Sequence, residues 1–308
     1  MRKLVYPVVV VVLAVVLAGC AFSDPRIAGT PPTPTTDPAF AGQTTAAADE
    51  VKTAWQAVIA AAGADADSGK WADMTRTLGT WWQILTGPDP VNRLANPTSA
   101  DPGTLPTTPP DPVRAADDSL ATLRDDALVN ANAATGRTAA WWAALAACAE
   151  QIRAGLAGHY GAPTAMNPAV TLTTTDEKTA ITGVQAQLDQ AVFALKAALG
   201  FLEPGGADAQ TFSTILAGLT TDQAGLAVLA GTPPTPSGSQ GIYELPPGRD
   251  RAAALALLTD AQRGLVQATA VWVASTTSPT QAIGYYMRAA ALGQAYGLGT
   301  AAWPGWPD

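Results

Sequence analysis

Residues 174–202 read TTDEKTAITGVQAQLDQAVFALKAALGFL, and this stretch decides the fold. Ile181, Leu188, Leu195 and Leu202 recur every seven residues, with Val184, Ala191 and Ala198 between them. That spacing is the seam of a bundle helix. Thr174-Thr175-Asp176-Glu177 reads as a capping box that opens it, and Glu203-Pro204-Gly205-Gly206 stops it. Three more helices follow. Phe212, Ile215, Leu216, Leu219, Leu226 and Leu229 mark one that ends near residue 230. The next runs from about 248 to 275 on Leu258, Leu265 and Trp272. Ser278-Pro279-Thr280-Gln281 supplies an N-cap Ser, an N1 Pro and an N3 Gln for a last helix, through Ile283, Tyr286, Met287 and Ala290 to near Gly297.

The connections set the topology. A helix of about 24 residues is about 36 Å long, whereas about 16 extended residues reach roughly 50 Å. Residues 231–247 can therefore run back along the bundle and start the third helix parallel to the second. The short links 203–206 and 276–279 make antiparallel neighbours. This crossover course is the ferritin-like one.

Upstream, helical signals cover about 45–63 (Val51, Trp55, Val58, Ile59) and 68–86 (Trp71, Met74, Leu78, Trp81, Trp82, Leu85). Residues 87–111 hold seven prolines and read as a linker. From Pro112 to about His159 the pattern is helical again, with Leu120, Leu123 and Leu128 in one part. Trp142, Leu145, Ala149, Ile152 and Leu156 form the stripe of the other, and Thr135-Gly136 is the candidate break. Alternation of β-branched residues is absent, so the chain reads as all-α. The domains expected are an N-terminal helical region, 45–160, a bundle, 174–298, and a Trp/Pro tail, 299–308.

Of the 308 residues, 48% are apolar and 14% charged, against about 25% charged in ordinary domains. The net charge is −8 and no basic cluster occurs, which argues against a nucleic-acid partner. Residues 1–19 read as an export signal: basic Arg2-Lys3, then an apolar run too short to span a bilayer comfortably. The run ends in Leu17-Ala18-Gly19-Cys20, which resembles a bacterial lipobox. Small residues fit a narrow peptidase cleft, and the Cys20 thiol accepts the diacylglyceryl group. The resemblance implies a mature protein held by lipidated Cys20 on the extracytoplasmic face of the cell membrane, since two or more acyl chains anchor stably. Residues 20–44, rich in Pro and Thr, read as a flexible tether. Acylation of Cys20 leaves only Cys148, taken as a small buried apolar residue.

A family resemblance covers residues 181 to about 300. Gln187-Leu188-Asp189-Gln190-Ala191-Val192-Phe193-Ala194, the tract Gly241-Ile242-Tyr243-Glu244-Leu245-Pro246 and the Ala-rich closing helix resemble the ferritin-like domain of unassigned function in actinobacterial exported proteins and lipoproteins. That family often has Glu-His where Asp189-Gln190 stand, and Tyr in place of Phe193. The resemblance implies a fold and no activity. Di-iron sites of ferritin-like bundles need four Glu and two His, in Glu-x-x-His pairs. This chain has one His, His159, and five Glu: Glu50, Glu150, Glu177, Glu203 and Glu244. No Glu-x-x-His occurs, so no metal and no cofactor is expected.

Nucleophilic sites fare no better. Cys148 and His159 lie about 16 Å apart along one expected helix. Gly-x-Ser-x-Gly, Ser-x-x-Lys, His-Glu-x-x-His, P-loop and dinucleotide fingerprints are all missing. The Asp117, Asp118, Asp125, Asp126 cluster reads as a solvated face near a helix N-terminus. Nine Trp remain, with the pairs Trp81-Trp82 and Trp141-Trp142, and Trp303 and Trp306 in the tail. Neighbours on a helix point about 100° apart, so one of each pair can face the core and the other a groove or partner; wide-stripe core packing between helices is the favoured reading, and an aromatic-lined pocket or contact patch the functional alternative. The expectation is a non-catalytic helical scaffold acting through contacts with another envelope protein. Its alternative is a module holding an apolar ligand (lipid or glycolipid) in a Trp-lined cavity. A closed cavity between helices would favour the ligand, an open patch the partner, and Asp residues converging in a cleft an enzyme.

Overall fold

The computed structural model describes residues 38–64, 68–86, 101–105, 107–156, 172–231 and 248–297. Within these, every regular element is a helix: α1 (Pro38–Ala62), α2 (Ser68–Thr86), α3 (Pro112–Ala133), α4 (Gly136–Leu156), α5 (Glu177–Leu199), α6 (Ala207–Ala230), α7 (Arg251–Ser275) and α8 (Thr280–Ala291), with a 3₁₀ turn at Gln294–Tyr296. The all-α reading holds, and these eight helices belong to one unit. α1 begins earlier than the sequence pattern suggests, so 38–44 is helix and not tether. Pro38 is favoured in a first turn, no proline follows it in the helix, and Thr44 is buried on the same face as Ala47 and Val51. Residues 1–37, the tail 298–308 and His159 lie outside the described residues.

Two of the expected helix starts move. α5 is capped by Asp176, whose carboxylate accepts the Thr179 N–H at 2.9 Å and the Thr179 hydroxyl at 2.6 Å. α8 starts at Thr280 with no side-chain cap, and the Ser278 N–H turns back to the Thr276 hydroxyl at 3.1 Å. The predicted break at Thr135-Gly136 is real, and Gly136 supplies a left-handed φ of 63° there.

The helices trace one course twice. α5 runs antiparallel to α6 and to α7: the indole N–H of Trp272, near the end of α7, reaches Glu177 at the start of α5 at 3.4 Å. α6 and α7 run parallel, because Asp208 in the first turn of α6 pairs with Arg251, the first residue of α7. α8 returns antiparallel on α7. In the upstream half α1 likewise packs on α2 and α3, and α3 on α4. Arg153 reaches across to Asp117 at 2.9 Å, and Arg124 to Glu150 at 2.8 Å, which sets α3 and α4 antiparallel. Shifting α1 by 137 positions superposes its buried Val51, Ala54, Trp55, Val58 and Ala61 on Leu188, Ala191, Val192, Leu195 and Ala198 of α5. The adjacent aromatics Trp141-Trp142 of α4 have a counterpart in Tyr285-Tyr286 of α8, at a shift of 144 positions rather than 137. Contacts repeat as well: Glu50 on α1 meets Asp126 on α3, and Gln187 on α5 meets Gly264 on α7.

α4 is the spine that joins the halves. It packs against α7 and α8 as well as α3, so Ala139 through Ala149 are all buried and the one-sided stripe expected from the sequence becomes an all-round one. Alanines bring helix backbones close, and large indoles fill the space where helices diverge; a buried Trp covers about 150–250 Å². Trp81, Trp142 and Trp272 are the largest fully buried side chains.

Candidate functional site

The tryptophans singled out in the sequence assemble around α2 and α4. Trp81 meets Trp141 edge-on at 5.6 Å, Trp141 meets Trp142 at 4.6 Å, and Trp55 meets half-buried Trp82 at 6.2 Å. Trp81, Trp141 and Trp142 are buried in the core, while Cys20, Trp303 and Trp306 lie outside the described residues. Cys148 is also buried; desolvation pushes its thiol up to about 12, opposed by the Trp81 indole N–H directed at the sulfur.

The Asp cluster on α3 divides among partners. Asp117 pairs with Arg153, Asp125 with Arg124 and Asp118 with Arg114, all on or near the surface. Asp126 differs. It hydrogen-bonds Glu50 of α1, at a cavity of about 190 Å³ floored by Leu123, Trp142 and Leu145. Desolvation, then the charge of Asp126 and the hydrogen bond to it, raise Glu50 to about 7. Glu50 therefore keeps its proton toward neutral pH, directed at Asp126. The two carboxyls stand closer than the roughly 5–9 Å that a sugar-cleaving pair keeps around its substrate bond.

A second cavity, about 260 Å³, opens in the downstream half where α6 and α8 stand apart. Val184 and Leu188 of α5, Ile215 and Leu219 of α6, Leu265 of α7 and Leu292 just past the end of α8 line it. Polar clasps close the seam on either side. At one, Arg288 holds Asp222 through Nη2 at 2.9 Å and Nε at 3.1 Å, lies 4.4 Å over the Tyr285 ring, and Tyr285 donates to the Asp222 carbonyl at 3.3 Å. At the other, Arg251 donates to Asp208 at 2.6 Å, holding that carboxylate low, and Tyr296 donates to the Asp208 carbonyl at 3.3 Å. Asp208 and Asp222 are 14 residues apart, about 21 Å along the helix. Sequence reading missed both carboxyl contacts because their partners sit on separate helices, far apart in the chain.

No group of three or more His, Cys, Asp or Glu side chains that could hold a metal ion occurs among the described residues. No described helix is long and apolar enough to cross a membrane. Compared with protein-family models, curated proteins and solved structures, the chain matches none, so the resemblance of residues 181 to about 300 rests on the residues quoted for it.

Proposed function

We propose that this chain is a lipid-anchored protein of the bacterial cell envelope. Acylated Cys20 tethers it to the extracytoplasmic face of the membrane, and its ferritin-like helices serve as a metal-free, non-catalytic scaffold that contacts another envelope component. The lipobox Leu17-Ala18-Gly19-Cys20 supports the anchor. The antiparallel, parallel, antiparallel course of α5 to α8 supports the ferritin-like reading. One observation carries the scaffold reading: aspartates across both halves are spent on arginines or on helix caps, around an Ala-packed interior. Asp117, Asp208, Asp222 and Asp260 hold arginines, while Asp111, Asp176 and Asp250 cap helices. The surface offered to a partner is the outer face of α6, where Ala217, Thr221, Ala224 and Val228 are exposed, Val228 by 83%.

Metabolic labelling with an alkyne fatty acid, followed by membrane fractionation, tests the anchor. Label and membrane retention are expected in the parent and lost in Cys20→Ala; identical behaviour of the two refutes it. A photo-cross-linking residue at Val228 is expected to give one reproducible adduct in cells, absent at exposed Thr122. Native mass spectrometry showing stoichiometric iron or manganese would overturn the metal-free reading.

A further inference from the structure

The cavity between α6 and α8 has the form of a slot. Its apolar stretch, Ile215 and Leu219 facing Ala289 and Leu292, lies between two clasps that bind the helices across it. Helices in a fully packed bundle fill such a seam with side chains; here the backbones stand apart and side chains leave a cavity of about 260 Å³.

We propose that this slot binds one acyl chain of a membrane phospholipid, with the ester and headgroup left outside. Charge chooses the occupant. Arg288 already holds both oxygens of Asp222, so among the described lining residues no cation is left unneutralised for an anionic head, and a free fatty acid would bring its carboxylate beside Asp222. Both hydroxyls among the lining residues are already spent, Thr269 donating to the Leu265 carbonyl at 2.6 Å and Tyr285 to the Asp222 carbonyl at 3.3 Å, so neither donor is free to replace a polar ligand's lost water. Shape points the same way, because a narrow gap between two helices suits a chain better than a ring system. The described chain begins at Pro38, 18 residues beyond Cys20, an extended reach of about 60 Å. A bilayer is therefore within range if Cys20 is acylated; the chemistry of the slot itself does not depend on that anchor.

Gly218 provides the test. It lines the slot, and an added β-carbon there meets nothing within 4 Å. Gly218→Leu therefore inserts a branched side chain into the slot without displacing the core, and leucine favours the helix over glycine. The probe is a phosphatidylcholine vesicle containing phosphatidylcholine with a pyrenyl acyl chain, mixed with the full mature chain bearing Cys20→Ala so that its own lipid is absent. Extraction of pyrenyl lipid is expected to lower excimer emission and saturate at one lipid per protein. Gly218→Leu is expected to weaken that extraction at least about tenfold with helicity and melting temperature no lower than the parent's. Ile215→Phe, a second way of filling the slot, is expected to do the same. Undiminished excimer emission with Cys20→Ala, or extraction that both filled variants leave intact, would overturn the proposal. So would extraction of pyrene-labelled free fatty acid in preference to the phospholipid. Loss of membrane anchoring or of the α6 cross-link would refute the function proposed above and leave this result standing.

Discussion

The indole of Trp55 lies across Gly79: a β-carbon at residue 79 would stand 3.0 Å from Cζ2 and 3.3 Å from Cη2 of the ring. The ring is buried and flanked by Trp82, so it has little freedom to retreat. This one bare backbone position sets how closely α1 and α2 approach.

Gly79→Ala should therefore destabilise the chain. Alanine favours a helix over glycine by about 1 kcal/mol, but overpacking a rigid ring costs about 1–3 kcal/mol. A net loss of about 1 kcal/mol is expected, read as a lower urea midpoint at unchanged slope. A midpoint at or above the parent's would mean that the indole has room to move.

The Glu50–Asp126 pair makes stability depend on pH. Glu50 keeps its proton to about pH 7 in the folded chain and releases it near its ordinary 4.5 when unfolded. Between those values the folded state binds the extra proton, so the contribution of this pair to stability falls as pH rises through the window and levels off above it. Glu50→Gln should remove that slope and raise stability at pH 8 by on the order of 1 kcal/mol, because solvent screens the partly exposed pair. Denaturation curves at pH 5 and pH 8 check it; equal shifts at both values would contradict it.

Two carboxamides finish the last turn of α8. Gln151 of α4 and Gln262 of α7 both donate to the Ala290 carbonyl, at 2.8 and 2.7 Å. The Oε1 of Gln262 is buried without a hydrogen-bond partner among the described residues. Gln262→Met should thus be neutral or slightly stabilising, since it removes the unpaired oxygen while Gln151 still holds the carbonyl. Adding Gln151→Met orphans that carbonyl and should cost a further 1–3 kcal/mol or so. Additivity in a double-mutant cycle would show that the two amides do not share a task.

Cys148 should be inert in the folded chain. Its thiol is pushed up to about 12 by burial, so thiolate is scarce at pH 8. The Cys20→Ala protein should take up no iodoacetamide at that pH until guanidinium unfolds it, and then one equivalent. Labelling of the native protein would show that α4 opens.

Much of this architecture was legible in the sequence. The bounds of α2 follow from its Trp and Leu spacing, and Ile181, Leu188, Leu195 and Leu202 are all buried as the seven-residue repeat requires. The parallel run of α6 and α7 follows from the reach of the connection between them. The internal repeat escaped notice because Ala47, Val51 and Trp55 of α1 stand where α5 has Val184, Leu188 and Val192, so the register is kept while the side chains change. The slot escaped too. Ile215 and Leu219 lie on the same apolar stripe whether a neighbour fills the space beside them or not, and periodicity records the stripe alone.

The central position of α4 has a consequence for any shortened form of this polypeptide. Severed between Leu156 and Leu172, the upstream piece would expose on α4 the surface that α7 and α8 now cover, and the downstream piece would lose the Gln151 amide that helps finish its last turn. Neither fragment would be content alone in water. Each would seek a companion, either the severed mate or a twin of itself, so the covalent link between the halves does the work that a subunit interface does elsewhere.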